Sequence, residues 1–243
     1  MIIRSGSLIL DMVPYLHLLT RRLVLPLAAI LILSCASHPT PGLHRMSKGE
    51  VEYGWSLALE NILPYGWARW ATSDYTTLGF RLGLPVYGTG VDLSRILYAR
   101  ENKWDMMDIA WSLNPNKNID FTYYKFYQRD FRGKTGTFWW AFRGMYIPTG
   151  ISGNTSTRIG FLLGTWPGGK VGYELGYFHD FNSMPLLQLF NPRWRWDDPK
   201  NIARYGDTPH IDPASGLPSE FSRLTGLSLQ VFFRIGNRTL SNR

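Results

Sequence analysis

The feature that most constrains this chain is a two-residue hydrophobic period, sustained through most of residues 49–236. In 77–84, Leu78, Phe80, Leu82 and Leu84 fall on one side, with Thr77, Gly79, Arg81 and Gly83 on the other. The same rhythm sets Met107, Ile109, Trp111 and Leu113 against Met106, Asp108, Ala110 and Ser112. It returns in 158–165, 171–178 and 227–235. Successive side chains of an extended strand point to opposite faces, so this alternation reads as strands with one apolar face. Turn residues separate ten such segments, at approximately 50–60, 65–72, 75–84, 90–100, 104–113, 119–128, 135–147, 156–165, 170–181 and 222–236. The expected fold is all-β, an antiparallel up-and-down transmembrane β-barrel of about ten strands.

Which face points inward follows from the glycines. The side opposite the Leu, Phe, Trp and Tyr residues carries Gly79, Gly83, Gly160, Gly164, Gly172 and Gly176. Glycine weakens an exposed strand, but it suits the inside of a narrow barrel, where side chains from all strands converge. The apolar face then meets lipid, and closure satisfies every backbone group in hydrocarbon. Composition agrees: charged residues are 18% and aromatics 15%, against about 25% charged in soluble domains. Inward-facing Arg81, Arg143, Arg158 and Arg234 are expected to neutralise Asp92, Asp108, Asp120 and Glu174, since buried ions are costly unless paired. Arg69, Arg95 and Lys125 fall on the nominally apolar side. Ten strands leave little bore once filled, which argues against a general pore.

Ahead of the strands, Arg21-Arg22 leads into the apolar run 23–33 and then Ser34-Cys35, the layout of a secretory signal. The run is too short for a helix crossing a bilayer, which needs about 20 residues. Ile32-Leu33-Ser34-Cys35 resembles the lipobox of bacterial lipoproteins, which implies lipidation at Cys35 and transport to the outer membrane. Residues 1–34 are thus expected to be a signal peptide, and a start at Met12 brings it to ordinary length. Residues 35–48 are expected to be a lipidated flexible tether, because ASHPTPGLHRMSK has two prolines, a glycine and no period. The barrel is placed at 49–236 and a tail at 237–243. With an anchor in the periplasmic leaflet the first strand runs outward. Short turns then fall on the periplasmic side, and a long external loop, 182–221, on the other.

In overall pattern the chain resembles small, uncharacterised outer-membrane β-barrel proteins of Gram-negative bacteria, which implies location and fold but no activity. In the long loop Arg193 and Arg195 alternate with Trp194 and Trp196, residue types over-represented at binding surfaces. The expectation is therefore a non-enzymatic structural or surface-recognition barrel with this loop as binding element. The formal net charge of +8 suits outer-membrane lipids and lipopolysaccharide. The loop's own charges are mixed, which gives no support to nucleic-acid binding.

Two alternatives stand beside this reading. One is a rim-type lipid-active enzyme using His179, the weak catalytic candidate; adjacent Asp180 points to the opposite face of a strand and does not readily orient it. The other is a soluble lipocalin-like carrier, which needs the glycine faces outward. The chain has no G-x-S-x-G, H-E-x-x-H, P-loop or Cys/His metal spacing, so no cofactor or metal is expected. The single cysteine excludes an internal disulfide.

Overall fold

A computed structural model describes residues 39–58, 61–83, 89–113, 117–131, 133–148, 155–182, 186–188, 193, 200 and 227–239. Ten strands follow one another in chain order: β1 Glu50–Ala58, β2 Asn61–Ser73, β3 Thr76–Gly83, β4 Gly90–Arg100 and β5 Lys103–Ser112. Then come β6 Ile119–Phe131, β7 Lys134–Ile147, β8 Ser156–Trp166, β9 Val171–Asp180 and β10 Leu227–Thr239. Each pairs antiparallel with its sequence neighbours, and β1 pairs with β10, so the sheet is a closed up-and-down barrel. A short 3-10 turn, Leu186–Gln188, lies in the connection after β9.

The expected ten strands are all present, with boundaries moved by a few residues. The first hairpin is tighter than the turn expected at 61–64, because β2 already begins at Asn61. β10 runs on to Thr239 through Asn237 and Arg238, which pair with Glu52 and Val51. The tail expected from 237 is therefore strand over its first three residues. Short connections lie at one end of the barrel: 74–75, 101–102, 132–133 and 167–170. The longer ones lie at the other: 84–89, 113–118, 148–155 and 181–226. The 59–60 hairpin is the short exception at that second end.

The glycine face points in and the apolar face points out. Leu78, Phe80, Leu82, Ile109, Trp111, Ile159, Phe161, Leu163 and Leu175 are all exposed on the outer wall. Inside, the glycines stand opposite large side chains in the ladder: Gly160 opposite Phe178, Gly164 opposite Trp139, Gly172 opposite Phe232 and Gly176 opposite Leu162. At each of these a Cβ would lie 2.0–2.3 Å from an atom of that partner. The large side chain lies flat across its glycine neighbour. Ten walls can thereby converge on one interior filled with side chains.

Residues 39–48 depart from the sequence expectation. Over these described residues the flexible tether is instead a packed strap inside the barrel, with Pro39, Thr40, Pro41, Gly42, Leu43 and Met46 buried. The physical reason is that Leu43 and Met46 find apolar walls, and the strap's polar groups find partners on β1, β2 and β10.

Candidate functional site

The lumen is the only place in the described structure where ionisable side chains are gathered out of water, so the site is built from its wall and its strap. Arg69 on β2 is central. It donates to the Thr40 carbonyl at 2.5 Å and to the Ser94 hydroxyl, and its Nη1 lies 3.3 Å from Asp92 Oδ2. Ser94 in turn donates to Asp108 Oδ1 at 2.7 Å. Arg69 thus ties a cluster of polar groups from β2, β4 and β5 to the strap. Tyr65 and Trp67 on the same strand made the inner side of β2 look apolar in sequence, which is why Arg69 was placed on the wrong face. Arg95 and Lys125 do lie on the outer wall, with Lys125 over the Trp140 ring at 5.9 Å.

Of the eight inward charges expected from sequence, seven are buried, and Arg234 is partly so. Their contacts run to partners on several strands. Arg234 Nε pairs with Glu52 Oε1 at 3.0 Å, a carboxylate the sequence reading missed although it lies in the Glu50-Val51-Glu52-Tyr53 alternation. Arg158 Nε lies 3.4 Å from Asp180 Oδ2 and donates to Ser156 Oγ at 2.9 Å. Arg143 donates to Thr122 Oγ1 at 2.8 Å and Tyr124 Oη at 2.6 Å, and stacks its charge 5.9 Å from the Phe178 ring centre. Glu174 accepts from the Trp139 indole at 2.9 Å, and Asp120 from the Asn118 amide at 3.1 Å. Asp92 and Asp108 belong to the Arg69 cluster. Arg81 is fully buried, and its three guanidinium nitrogens have no hydrogen-bond partner among the described residues.

Between these charges the lumen is filled with rings. Trp104 stacks on Phe126 with centroids 4.9 Å apart, Phe126 lies 5.8 Å from Trp139, and Trp139 lies 5.8 Å from Phe232. All four are buried. The strap occupies the remaining width beside β1. The Thr40 hydroxyl is 3.0 Å from Ser56 Oγ and accepts from Gln230 Nε2 at 3.0 Å, while Gln230 also donates to Tyr65 Oη at 2.6 Å. Lower down, His44 Nε2 lies 2.7 Å from Glu50 Oε1 and its Nδ1 lies 3.7 Å from Glu52 Oε1. Burial pulls the His44 pKa down, but the two carboxylates outweigh it and the net shift is upward. At the rim the Lys48 amide donates to Asp74 Oδ1 at 2.8 Å.

His179 sits at the outer end of β9 with its ring 4.8 Å from that of Phe181 and Nδ1 3.4 Å from Tyr177 Oη. Asp180 turns the other way, into the lumen, where it accepts from Ser156 at 2.7 Å. The strand separates the two, as the two-residue period expects. Cys35, Trp194, Arg195 and Trp196 lie outside the described residues, while Arg193 is exposed in a turn. Among the described residues no group of three or more His, Cys, Asp or Glu could hold a metal ion. The glycine-rich face lines this packed interior, opposite to the arrangement a lipocalin-like carrier needs. Comparison with family models, with curated proteins and with solved structures gives no match.

Proposed function

We propose that the protein is a sealed outer-membrane β-barrel, a non-enzymatic scaffold that carries the loop 182–221 as its recognition element. The observation that carries this reading is the pairing of an apolar outer wall with a charged, ring-filled lumen. Monomeric soluble proteins rarely leave a contiguous apolar surface beyond a few hundred Å², whereas here the outward residues of neighbouring strands are exposed Leu, Ile, Phe and Trp. Such a wall is stable where lipid covers it, and closure removes the unpaired edges that hydrocarbon forbids. Lipidation at Cys35, export through residues 1–34, and contact with outer-membrane lipids and lipopolysaccharide belong to the same reading. The lipid-active alternative depends on His179, and the neighbouring carboxylate is committed to Arg158 and Ser156.

The test is gel mobility in detergent, with and without boiling, of protein extracted from the outer-membrane fraction. A band that shifts on boiling and stays with the membrane through a urea wash is the expected result. A freely soluble protein without a shift overturns the reading. Deleting 190–212 is expected to keep the shift but to reduce retention on vesicles bearing lipopolysaccharide; unchanged retention removes the recognition role of the loop.

A further inference from the structure

Arg81 stands apart from the other inward charges. It is 1% exposed, and none of its guanidinium nitrogens has a hydrogen-bond partner among the described residues. A guanidinium keeps its charge when buried, and a buried charge left without a partner is strongly destabilising. Such an arginine is accounted for when something outside the wall supplies the negative charge.

The wall around Arg81 shows where that charge fits. Arg81 is two residues before the end of β3, and its ladder partner Gly90 is the first residue of β4, so both lie at the end of the lumen with the longer connections. A Cβ at Gly90 would lie 2.5 Å from Arg81 Nη2, so the guanidinium rests over this glycine. The neighbours on either side lean away. Trp67, its partner on β2, lies over Gly54 of β1, where a Cβ would come 2.6 Å from the indole. Asp92 on β4 lies over Gly79, where a Cβ would come 2.1 Å from the carboxylate, and it faces Arg69. Beyond Gly90 the row continues to Ser112, whose amide donates to the Asn118 carbonyl, and the Asn118 side chain is turned to Asp120. Between Arg81 and Asn118 the row therefore carries only a glycine and a serine, which leaves the smallest side chains beside the guanidinium.

We propose that Arg81 forms a subsite for a small, free oxyanion of the phosphate type, entering from this mouth and held over Gly90 by the guanidinium fork. The fork matches the paired oxygens of such an ion, and Ser112 places a hydroxyl-bearing residue next along the wall. Depth of burial selects a free ion over a lipid headgroup, whose acyl chains stay outside the wall. The subsite does not depend on whether the barrel resides in a membrane.

The test is equilibrium dialysis of the full chain, folded in detergent, against radiolabelled inorganic phosphate at constant sodium chloride. Saturable binding by the native chain is expected. Arg81→Met, which keeps the bulk without the charge, is expected to bind about tenfold or more weakly, with Arg81→Lys, a point charge without the fork, in between. Added phosphate is also expected to raise the urea midpoint of the native chain more than that of Arg81→Met. No saturable binding by the native chain overturns the subsite, and so does binding that Arg81→Met leaves undiminished. If Arg81→Met does not fold, as judged by far-ultraviolet circular dichroism, Arg81→Lys decides, and unchanged affinity in it overturns the proposal. Displacement of phosphate by dihexanoyl phosphatidic acid as readily as by glycerol 3-phosphate overturns the assignment to a free ion.

Discussion

At the scale of single residues, the lumen is organised by pairs in which a glycine gives way to a large neighbour. Gly164 faces Trp139 across the β7–β8 ladder, and a Cβ there would lie 2.1 Å from the indole. Gly164→Val is therefore expected to destabilise the barrel by about 1–3 kcal/mol, the usual range for overpacking, read as a lower urea midpoint for loss of the unboiled band. The same substitution at Gly144, where nothing lies within 4 Å of a built Cβ, is expected to cost less. Glu52 is the residue on which Arg234 and His44 both depend. Glu52→Gln leaves a partly buried guanidinium without its charge partner and is expected to cost about 3 kcal/mol. His44 supplies a pH dependence. Its folded pKa is raised, because Glu52 and Glu50 outweigh burial. Its contribution is therefore complete below about pH 6.5 and is lost as pH rises through the higher folded value. A urea midpoint that falls as pH rises above about 6.5 in the native chain but stays flat in His44→Gln is the expected result.

At the scale of elements, strand identity and facing were legible, because each strand advertises its two faces over eight or more residues. The faces of β3, β5, β8, β9 and β10 follow the alternation read from sequence. β2 did not, since Tyr65, Trp67 and Arg69 on its inner side alternate with Gly66, Ala68 and Trp70, so large apolar groups occur on both. Bulges also shift register in places, between Tyr53 and Gly54 and between Ile96 and Tyr98. The strap was illegible as structure for another reason. Pro39-Thr40-Pro41-Gly42 has no period, and its order comes from contacts with residues far away in the chain. An outer-wall test belongs here. Phe161 lies midway along β8 with its ring 5.3 Å from Phe142 and 6.4 Å from Trp140. Phe161→Lys is expected to cost about 2–4 kcal/mol if the wall faces the bilayer midplane, measured as folding free energy in vesicles. A change within about 0.5 kcal/mol, the norm for an exposed soluble surface, would count against the membrane reading.

At the scale of the molecule, charge is distributed unevenly between the two ends among the described residues. Around the short-turn end Arg45, Lys48, Arg95, Arg100, Lys103, Arg129, Lys134, Lys170 and Arg238 are exposed, against exposed Asp74, Glu101 and Asp130. Three of these cations lie over outward aromatic rings: Arg45 over Tyr75, Arg100 over Tyr98 and Lys103 over Tyr127, at 5.9, 5.5 and 5.6 Å. Rings with a cation at the tip suit the headgroup layer, where an apolar body meets wet anionic groups. Binding to vesicles containing phosphatidylglycerol is expected to exceed binding to neutral phosphatidylcholine and to weaken with salt, since exposed charges are screened within about 10 Å at 0.1 M. Equal binding to both at low salt would remove any role for this rim.

From the sequence alone came the number of strands, their up-and-down order and the inward turn of the glycine face. These are local properties: a two-residue period decides which side of a strand is apolar, and short turns decide that neighbours pair. The lumen contents were a matter for the tertiary structure. Arg69 meets Thr40 and Asp92, Arg234 meets Glu52, and Gln230 reaches Thr40 across 190 residues of chain. Only when β1 closes on β10 do side chains from every strand share one interior, and only then does a segment without a period of its own acquire walls to pack against.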